Sequence, residues 1–565
     1  MTPLNLHSKN TYDAIVVGTG ISGGWAAKEL CEKGMKTLVL ERGRNVKHIE
    51  DYDDMKAPWE LPHRGRKTQD DIRRSPIQSG VYNFHETSKR FFVNDHDQPY
   101  EQVKPFEWAR GYQVGGRSLL WGRQCYRRSD VDFEANAKDG FGVDWPIRYK
   151  DIAPWYDYVE PFVGISGSLE GLPHLPDGKF QPPMPMNCLE SYVSERVKKG
   201  FNGERLIIHG RTANLTRQIG TRGPCQYRAK CESGCSYGGY FSSVSATIPA
   251  AAATGNMTLR PFSVVKEVIY DKEKRKAVGV RVVDSETLEE YEYFAKVIFL
   301  NASALNTTLI LLNSVSDAFP EGLGNGSGQI GHNLMDMPYG MGASGSFDGF
   351  QDKYTFGNRP TGIFVPRFRN INEKTKTDKF LRGYTYQGGA GRGRIGWADG
   401  VGMQLKQRLT EAGGWSMAIT AWGEHLPYFD NKATLSKTRK DKFGMPVLEI
   451  DCEFRENEEK LIEDAMTSAA EILEMGGLKN ITTYNWKKIP GSCIHETGTA
   501  RMGKDPKTSV LNKWNQMHEV KNVFITDGSA MASSSCIPGP SVTYMALTAR
   551  AVDYAVKEMR KGNIR

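Results

Sequence analysis

The first forty residues change their hydrophobic pattern twice over a short distance. Residues 14–17 form an apolar run of the length of a buried strand, and residues 26–30 place apolar side chains at helical spacing. Residues 36–40 form a second apolar run that ends at Glu41. The pattern therefore predicts a strand, a turn, a helix and a second strand.

Three later segments carry equally clear patterns. Residues 457–475 show apolar positions at helical spacing, which predicts a helix packed on a core. Residues 523–556 predict a strand, a loop and a final helix. The apolar run 297–312 is interrupted by polar residues, and no stretch reaches the roughly 20 apolar residues that a membrane-spanning helix needs.

Composition limits the classes of protein that fit. The chain has 565 residues, which predicts two or three domains, and 39% hydrophobic with 25% charged residues is ordinary for a globular protein. The net charge of +8 is mild, and no basic run or basic–aromatic stripe indicates nucleic-acid binding. The N-terminus lacks the pattern of a signal peptide. We therefore expect a cytoplasmic protein, with periplasmic export beside a signal-bearing partner as the alternative.

A glycine fingerprint lies between the first strand and the helix. Gly18, Gly20 and Gly23 form G-x-G-x-x-G, in which the first glycine permits the tight turn, the second lets a pyrophosphate approach, and the third lets the helix pack on the strand. Ile21 and Ser22 begin the helix, whose free N–H groups attract phosphate. Glu41 and Arg42 follow the second strand, where a carboxylate accepts hydrogen bonds from ribose. The pattern predicts a dinucleotide site.

Residues 45–110 are polar, charged and rich in proline, unlike a second βα unit. They are followed by GYQVGGRSLLW at 111–121, and this segment, together with the fingerprint and the C-terminal third, resembles the glucose–methanol–choline (GMC) family of FAD oxidoreductases. The resemblance implies that Gly115, Gly116 and Ser118 face the flavin and its phosphates, and that Val265 contacts adenine. Leu120 stands where some members attach FAD to a histidine, so we expect non-covalent FAD.

The resemblance also implies the architecture, because similar segments recur in order from residue 13 to residue 557. We expect an α/β protein with a Rossmann-like FAD-binding domain that is discontinuous in sequence, and an α+β substrate-binding domain built on an antiparallel sheet. The predicted FAD-binding domain comprises residues 1–150, 210–335 and 490–565. The predicted substrate-binding domain comprises residues 151–209 and 336–489.

The C-terminal third carries the predicted chemistry. His495, in CIHETGTARMG, matches the active-site histidine of the family, and a neutral imidazole can take the hydroxyl proton while hydride leaves for flavin N5. The alternative interpretation is that His495 is structural and caps the turn that follows. The resemblance further implies that Asp527, Gly528, Ser541 and Val542 lie along the flavin.

One position departs from the family pattern. Gly539 stands where the family has the second catalytic residue, Asn or His, although one extra residue in the loop leaves the alignment uncertain by one position. Glycine has no side chain to hold a substrate hydroxyl, so Tyr544, Ser541 or another residue must supply the contact, or the chemistry is altered.

Residues 338–435 are rich in glycine and aromatic residues, which suits either a sugar site or an ordinary half-buried sheet. We name Glu424, His425 and Asn431 as candidate pocket residues. Within the family the chain looks most like the bacterial sugar dehydrogenases, through the segments 223–243, 144–147 and 540–551. This resemblance implies an FAD-dependent enzyme that oxidises a sugar or glycoside hydroxyl, with C3 of a glucoside favoured, to a ketone and passes the electrons to an acceptor other than O2. We expect no nucleic-acid partner, and a small subunit or acceptor protein as partner.

Several alternatives stay open. Within the family they are an O2-using oxidase, and an FAD-binding member with lyase-type or non-redox activity because of Gly539. Outside it they are an NAD(P) dehydrogenase and a non-catalytic protein that kept the fold.

Cys225, Cys231 and Cys235 form a C-x5-C-x3-C motif. No nearby fourth ligand completes a zinc site. The resemblance to glucose dehydrogenases implies a [3Fe–4S] cluster, since three thiolates suit such a cluster. A free-thiol loop or a disulfide over the active site is the alternative.

Overall fold

The computed structural model describes residues 10–394 and 400–564. The start of the chain, on which the signal-peptide prediction rests in part, and the end of one aromatic-rich segment, at 395–399, lie outside the described residues. The α-helices are α1 (Ile21–Glu32), α2 (Gln69–Arg74), α3 (Asp130–Phe133), α4 (Ala135–Asp139), α5 (Tyr149–Val163), α6 (Cys188–Gly200), α7 (Thr247–Ala253), α8 (Ala304–Asn313), α9 (Gly402–Arg408), α10 (Glu456–Met475) and α11 (Ser541–Arg560).

The strands belong to three sheets. They are β1 (Thr11–Val17), β2 (Thr37–Leu40), β3 (Glu101–Gln102), β4 (Ile208–His209), β5 (Met257–Arg260), β6 (Ser263–Asp271), β7 (Lys276–Asp284), β8 (Glu290–Leu300), β9 (Tyr339–Phe347), β10 (Ile363–Val365), β11 (Tyr384–Arg394), β12 (Ala412–Gly423), β13 (Lys432–Lys440), β14 (Pro446–Asp451), β15 (Lys479–Asn485) and β16 (Val523–Ile525).

The first sheet has the order β5-β2-β1-β8-β7-β6, with β16 also paired to β8. Strands β5, β2, β1, β8 and β16 are parallel, whereas β6, β7 and β8 form an antiparallel meander. Strand β8 joins both parts: residues 290–294 pair with β7 and residues 298–300 pair with β16. Helices α1 and α11 pack on each other, and their apolar faces share one core with β1, β8 and β16. This is the predicted Rossmann-like layer.

The second sheet is antiparallel, with the order β15-β9-β12-β11-β10-β4. Helix α10 covers one face of it, and its buried residues Leu461, Ala465, Ala469 and Ile472 follow the spacing that predicted a core-packed helix. The predicted antiparallel-sheet domain is thereby confirmed as a fold. A small third sheet consists of β13, β14 and β3.

Residues 45–110 contain helix α2, strand β3 and short 3-10 turns, so this segment is the long excursion that its composition predicts. The division into two domains stays a prediction, and α5 argues against one of its boundaries. Residues 151–209 were assigned to the substrate domain, but α5 packs on α11 and buries Ile152, Tyr156 and Val159 in the core of the first sheet. Within the described part of the chain, the model has no helix long and apolar enough to cross a membrane.

Candidate active site

A single large cavity of about 940 Å³ connects the first and second sheets. Val17, Leu40 and Asn301, at the carboxyl ends of β1, β2 and β8, line one end of it. Ligands of open α/β sheets bind at this edge of the strands. The volume lies at the upper end of the range of small-molecule sites, which is what an extended dinucleotide requires.

The glycine turn has the geometry that its spacing predicts. Gly18 has φ +94°, and a Cβ on it would lie 2.4 Å from the carbonyl oxygen of Asn301. A Cβ on Gly23 would lie 1.9 Å from the carbonyl oxygen of Gly18, so the helix touches the turn here. A Cβ on Gly20 would meet nothing within 4 Å, because this glycine borders the open cavity. The turn therefore leaves room for a ligand at Gly20, whereas Gly18 and Gly23 lie in close contact with neighbouring backbone.

Two helices point uncapped N-termini at the cavity. Gly20 is the N-cap residue of α1 and Pro540 that of α11, and neither end has a side-chain cap. Ser22 and Ser541, in the first turns, line the cavity. The free N–H groups and the positive ends of the helix dipoles favour negative charge at both places.

Glu41 directly follows the last residue of β2. Its Oε2 accepts hydrogen bonds from the backbone N–H and the hydroxyl of Thr19, and its Oε1 accepts one from the Gly43 N–H at 3.2 Å. Burial raises the pKa of Glu41 above its ordinary value. The neighbouring Arg42 lines the cavity as well, and its buried Nε has no hydrogen-bond partner within the described residues.

The predicted flavin loop forms a 3-10 turn over Gly116–Leu119. Gly115, with φ +92°, donates its N–H to the Thr19 hydroxyl at 3.0 Å, which ties this loop to the glycine turn. Ser118 lines the cavity, but its hydroxyl donates to the Gly115 carbonyl and accepts from the Ser243 N–H. The loop therefore offers its backbone groups to a ligand in the cavity, because the Ser118 hydroxyl is already used within the protein.

These observations test whether FAD fits. The cavity combines an open glycine, two uncapped helix N-termini and buried polar atoms that lack a partner in the described chain. Besides Arg42 Nε, these atoms are Asn83 Oδ1, Arg110 Nε and Asn301 Nδ2. Buried polar groups normally have partners. The residues present therefore fit an extended, polyanionic dinucleotide with hydrogen-bonding sugar and ring groups.

His495 lies in the wall of the cavity on a loop of turns and bends between β15 and β16. Its Nδ1 is 3.1 Å from the Met337 sulfur and 3.3 Å from the Cys493 sulfur. The ring is partly open to the cavity but lies deep in the protein. Burial, followed by the positive charges of Arg117 and Arg128, lowers its pKa to about 3. The imidazole is therefore neutral at neutral pH.

Asp336 holds the loop that carries His495. This fully buried carboxylate accepts the N–H groups of Gly491 at 2.8 Å and Cys493 at 3.1 Å on Oδ2, and that of His495 at 3.0 Å on Oδ1. Burial, and then the charge of Glu496, raises its pKa to about 7. The sequence gives no sign of this role, because no local pattern marks a carboxylate that accepts hydrogen bonds from a distant backbone segment.

A buried ion pair joins the flavin loop to the same segment. Arg117 donates Nη1 to Glu496 Oε1 at 3.0 Å and Nη2 to Glu496 Oε2 at 2.8 Å, a two-pronged contact between residues 379 positions apart. Both residues line the cavity. Neither was predicted, although Arg117 lies inside the glycine loop and Glu496 beside His495.

The C-terminal loop also reaches the cavity. Gly539, Ser541 and Tyr544 line it, as do Asp527 and Gly528. Gly539 has φ +77°, and a Cβ there would lie 2.2 Å from the Gln124 carbonyl oxygen. This position therefore requires glycine, and no side chain of residue 539 can hold a substrate.

Most predicted site residues border the cavity. They are Gly18, Gly20, Ile21, Ser22, Glu41, Arg42, Gly116, Ser118, Val265, His495, Asp527, Gly528, Gly539, Ser541 and Tyr544. Gly23, Gly115 and Val542 lie behind its wall. Among the cavity-lining residues of the described chain, Glu424, His425 and Asn431 are absent: Glu424 pairs with Arg382 at 3.0 Å, and Asn431 bonds the His425 ring at 3.2 Å. These three residues are structural.

The three clustered cysteines do not form a metal site in this structure. Across residues 10–394 and 400–564, no group of three or more His, Cys, Asp or Glu side chains is arranged to hold a metal ion. All nine cysteines, each within the described ranges, are free thiols. The tyrosine and glycine N–H groups at positions 227 and 239 bond the sulfurs of Cys225 and Cys235. The iron–sulfur prediction is therefore unsupported: Cys225 and Cys235 accept backbone hydrogen bonds, while Glu232, beside Cys231, borders the cavity.

Family models and related proteins match this chain over most of its length. The GMC oxidoreductase family models match residues 12–339 and 427–548. The chain is 26% identical over 577 residues to 2-methyl-1,2-propanediol dehydrogenase of Mycolicibacterium austroafricanum (97% of this chain, 95% of the relative). It is 26% identical over 565 residues to the fructose dehydrogenase large subunit of Gluconobacter japonicus (97% and 98%). It is 24% identical over 569 residues to the gluconate 2-dehydrogenase flavoprotein of Pantoea cypripedii (92% and 89%).

Solved structures share the fold. Pyridoxine 4-oxidase from Mesorbium loti superimposes with a TM-score of 0.59 at 17% identity, covering 96% of this chain and 99% of the other. A formate oxidase from Aspergillus oryzae RIB40, studied for FAD modification, gives 0.60 at 14% identity, covering 98% and 99%. Since the first family model alone matches more than half of its length, the chain belongs to the GMC oxidoreductase family and is an FAD-dependent oxidoreductase that acts on CH–OH groups.

Proposed function

We propose that this flavoprotein oxidises a hydroxyl of a sugar or glycoside to a ketone, with C3 of a glucoside as the favoured position, and passes the electrons to an acceptor other than O2. The observation that carries the proposal is the neutral, buried imidazole of His495 in the wall of a cavity that fits FAD. The names of the relatives, a diol, a fructose and a gluconate dehydrogenase, support a polyol or sugar substrate.

The contacts of His495 indicate which nitrogen acts. The thioether of Met337 can only accept a hydrogen bond, so we assign the proton to Nδ1, which faces it. Nε2 then carries the lone pair and takes the hydroxyl proton as general base. Bound, non-covalent FAD supplies the hydride acceptor. A pKa near 3 makes a weak base in the free protein, and anionic charge arriving in the cavity would raise it.

The remaining predicted residues have positioning tasks. We propose that Gly18, Gly20, Gly116 and the α1 N-terminus hold the phosphates, that Glu41 binds ribose, and that the α11 N-terminus faces the flavin ring. Since Gly539 cannot hold the substrate hydroxyl, Tyr544 and the unpaired Gln387 Nε2 are the nearest polar groups proposed for that contact. The relative named as a large subunit supports a partner subunit that receives electrons.

The test is anaerobic reduction of the purified, FAD-loaded protein, followed near 450 nm, with a panel of free sugars, polyols and glycosides and with the product carbonyl mapped. We expect bleaching by at least one glycoside and faster turnover with a quinone or ferricyanide than with O2. H495A should slow flavin reduction by about 10²-fold or more, whereas the exposed control H96A should not. Wild-type reduction rates in H495A, or no bleaching by any compound, would refute the proposal.

A further inference from the structure

Arg123 is a buried cation in the cavity wall that lacks a carboxylate partner. It is 7% exposed and follows Trp121 and Gly122 along the wall. Its Nη1 donates to the Trp121 carbonyl at 2.9 Å, while Nε is buried without a partner and Nη2 makes no hydrogen bond to any described residue. In the described ranges, no Asp or Glu forms an ion pair with it.

Arg222 and Arg127 show how a buried arginine of this molecule can be satisfied. Arg222, 6% exposed, donates Nε, Nη1 and Nη2 to three different carbonyl groups. Arg117 and Arg127 each form ion pairs with buried glutamates. An uncompensated buried cation costs several kcal/mol. Arg123 also sits at φ +64°, in the left-handed region that is strained for a side chain of this size. Within the described residues, the side chain contacts one carbonyl and the face of the Tyr240 ring, 5.4 Å from the guanidinium carbon, and neither carries a full negative charge.

The groups that face Arg123 come from several elements. Tyr82, Tyr240 and Cys231 act on its charge, but all three are neutral at neutral pH, because burial raises the pKa of Tyr240 and of Cys231 and a phenol such as Tyr82 keeps its proton there. The carboxylate of Glu232 acts from beyond ion-pair distance. Lys488 lines the same cavity and adds positive charge. The part of the cavity around Arg123 therefore lacks a paired negative charge.

This part of the cavity adjoins the reaction end. Gln124, next to Arg123, places its carbonyl beside Gly539 in the C-terminal loop. The Tyr82 side chain, 59% exposed and lining the cavity, is influenced both by Arg123 and by Cys493, two residues before His495. Arg123 and the glycine turn at Gly18 are carried by different loops. Arg123 thus lies on the cavity wall next to the C-terminal loop of Gly539, and we place the ligand group that it holds in the substrate.

We propose that Arg123 binds the carboxylate of the substrate, so that the enzyme acts on a hydroxy acid of the sugar type. The free Nε and Nη2 form one edge of the guanidinium fork, which matches the two oxygens of a carboxylate. The proposal names the substrate class of the function proposed above and rests on it.

The test measures binding separately from turnover. Oxidised, FAD-loaded protein is titrated with D-gluconate and with D-glucitol, which differ in one carboxylate, and the flavin spectrum is followed. Acetate serves as the control for a general anion effect. We expect gluconate to bind at least about tenfold more tightly than glucitol, and R123Q to weaken gluconate binding at least about tenfold without changing glucitol binding. R123K should lie between them, and the exposed R217Q should match wild type.

Each outcome decides the matter. Equal affinities of wild type for gluconate and glucitol, unchanged gluconate affinity in R123Q, or an equal spectral change with acetate would overturn the proposal. Loss of FAD from R123Q would assign Arg123 to the cofactor and overturn it too. If R123Q does not fold, unchanged gluconate affinity in R123K overturns it. Gluconate that binds through Arg123 without bleaching the flavin, when no other sugar bleaches it, refutes the proposed function and this inference together. Bleaching by a neutral glycoside, with gluconate affinity unchanged in R123Q, overturns this inference alone and leaves the proposed function standing.

Discussion

The two ends of the cavity are built in different ways. The dinucleotide end is built from backbone groups, namely three glycines, an uncapped helix N-terminus and a second glycine loop. Neighbouring backbone lies so close to Gly18 and Gly23 that no Cβ would fit at either position. The reaction end is side chain: His495 is placed by Asp336, Met337 and Cys493, and a buried ion pair between Arg117 and Glu496 lies beside it.

Because of this difference, the two ends of the cavity should tolerate substitutions to different extents. Backbone contacts at Gly18 and Gly23 leave no room for a Cβ, so a methyl group is enough to disrupt the first end. Side-chain contacts at the second end share the task among several groups, so each loss costs about one hydrogen bond or one charge. We therefore expect a substitution at Gly18 or Gly23 to abolish cofactor binding, one at the open Gly20 to weaken it, and those at the second end to reduce rates.

The largest expected effect is that of G23A. Its Cβ would lie 1.9 Å from the Gly18 carbonyl oxygen, so strand and helix must separate. We expect purified G23A to lack FAD absorbance and its apoprotein to melt at a lower temperature than wild type.

G20A sharpens the same comparison, since its Cβ meets nothing in the protein. The G20A apoprotein should melt like wild type but bind FAD at least about tenfold more weakly, because the methyl group enters the space of the ligand. The control is G391A, where a Cβ also meets nothing and which lies outside the cavity lining. Normal FAD content in G23A would contradict the backbone account of this end.

The next effect is that of D336N. One amide oxygen cannot replace two carboxylate oxygens that accept three N–H groups, so the loop of His495 loses one or two charged hydrogen bonds. We expect D336N to keep FAD and to lower kcat about 10- to 100-fold with little change in KM. The exposed D348N is the control.

A stability measurement distinguishes positioning from general damage in D336N. The folded-state pKa of Asp336 is raised to about 7, so its contribution to stability is complete below its ordinary pKa and is lost as pH rises through about 7. The wild-type melting temperature should therefore fall between about pH 5 and about pH 8 by more than that of D336N. Parallel curves would contradict the buried-carboxylate account.

The same contrast explains what the sequence could predict. The glycine fingerprint and the helices α1, α10 and α11 were predictable because spacing within a short segment determines them. The FAD loop at Gly115 and His495 were found through resemblance. The role of Asp336 was not found, because its carboxylate accepts N–H groups of residues that lie 155 to 159 positions further along the chain.

Two predictions failed or remain open for physical reasons. The iron–sulfur cluster was implied by the resemblance, and it is not supported, because no three His, Cys, Asp or Glu side chains of the described residues are arranged to hold a metal ion. Helix α5 was placed in the substrate domain through the family resemblance, and this boundary stays a prediction, although the apolar face of α5 packs on α11. Arg123 could not be singled out, because only the folded structure shows that a charge lacks its partner.

The smallest expected effect is that of M337L. Leucine matches the volume of this 1% exposed side chain but removes the sulfur that accepts from His495 Nδ1, so the imidazole loses the contact that fixes its tautomer. One such hydrogen bond is worth about 0.5–1.5 kcal/mol, which corresponds to a fall in kcat of about 2- to 10-fold. M417L, buried in the second sheet away from the cavity, is the matched control. If M337L had the pH profile and rate of wild type, the Met337 sulfur would not orient the base, and Cys493 alone would hold the ring.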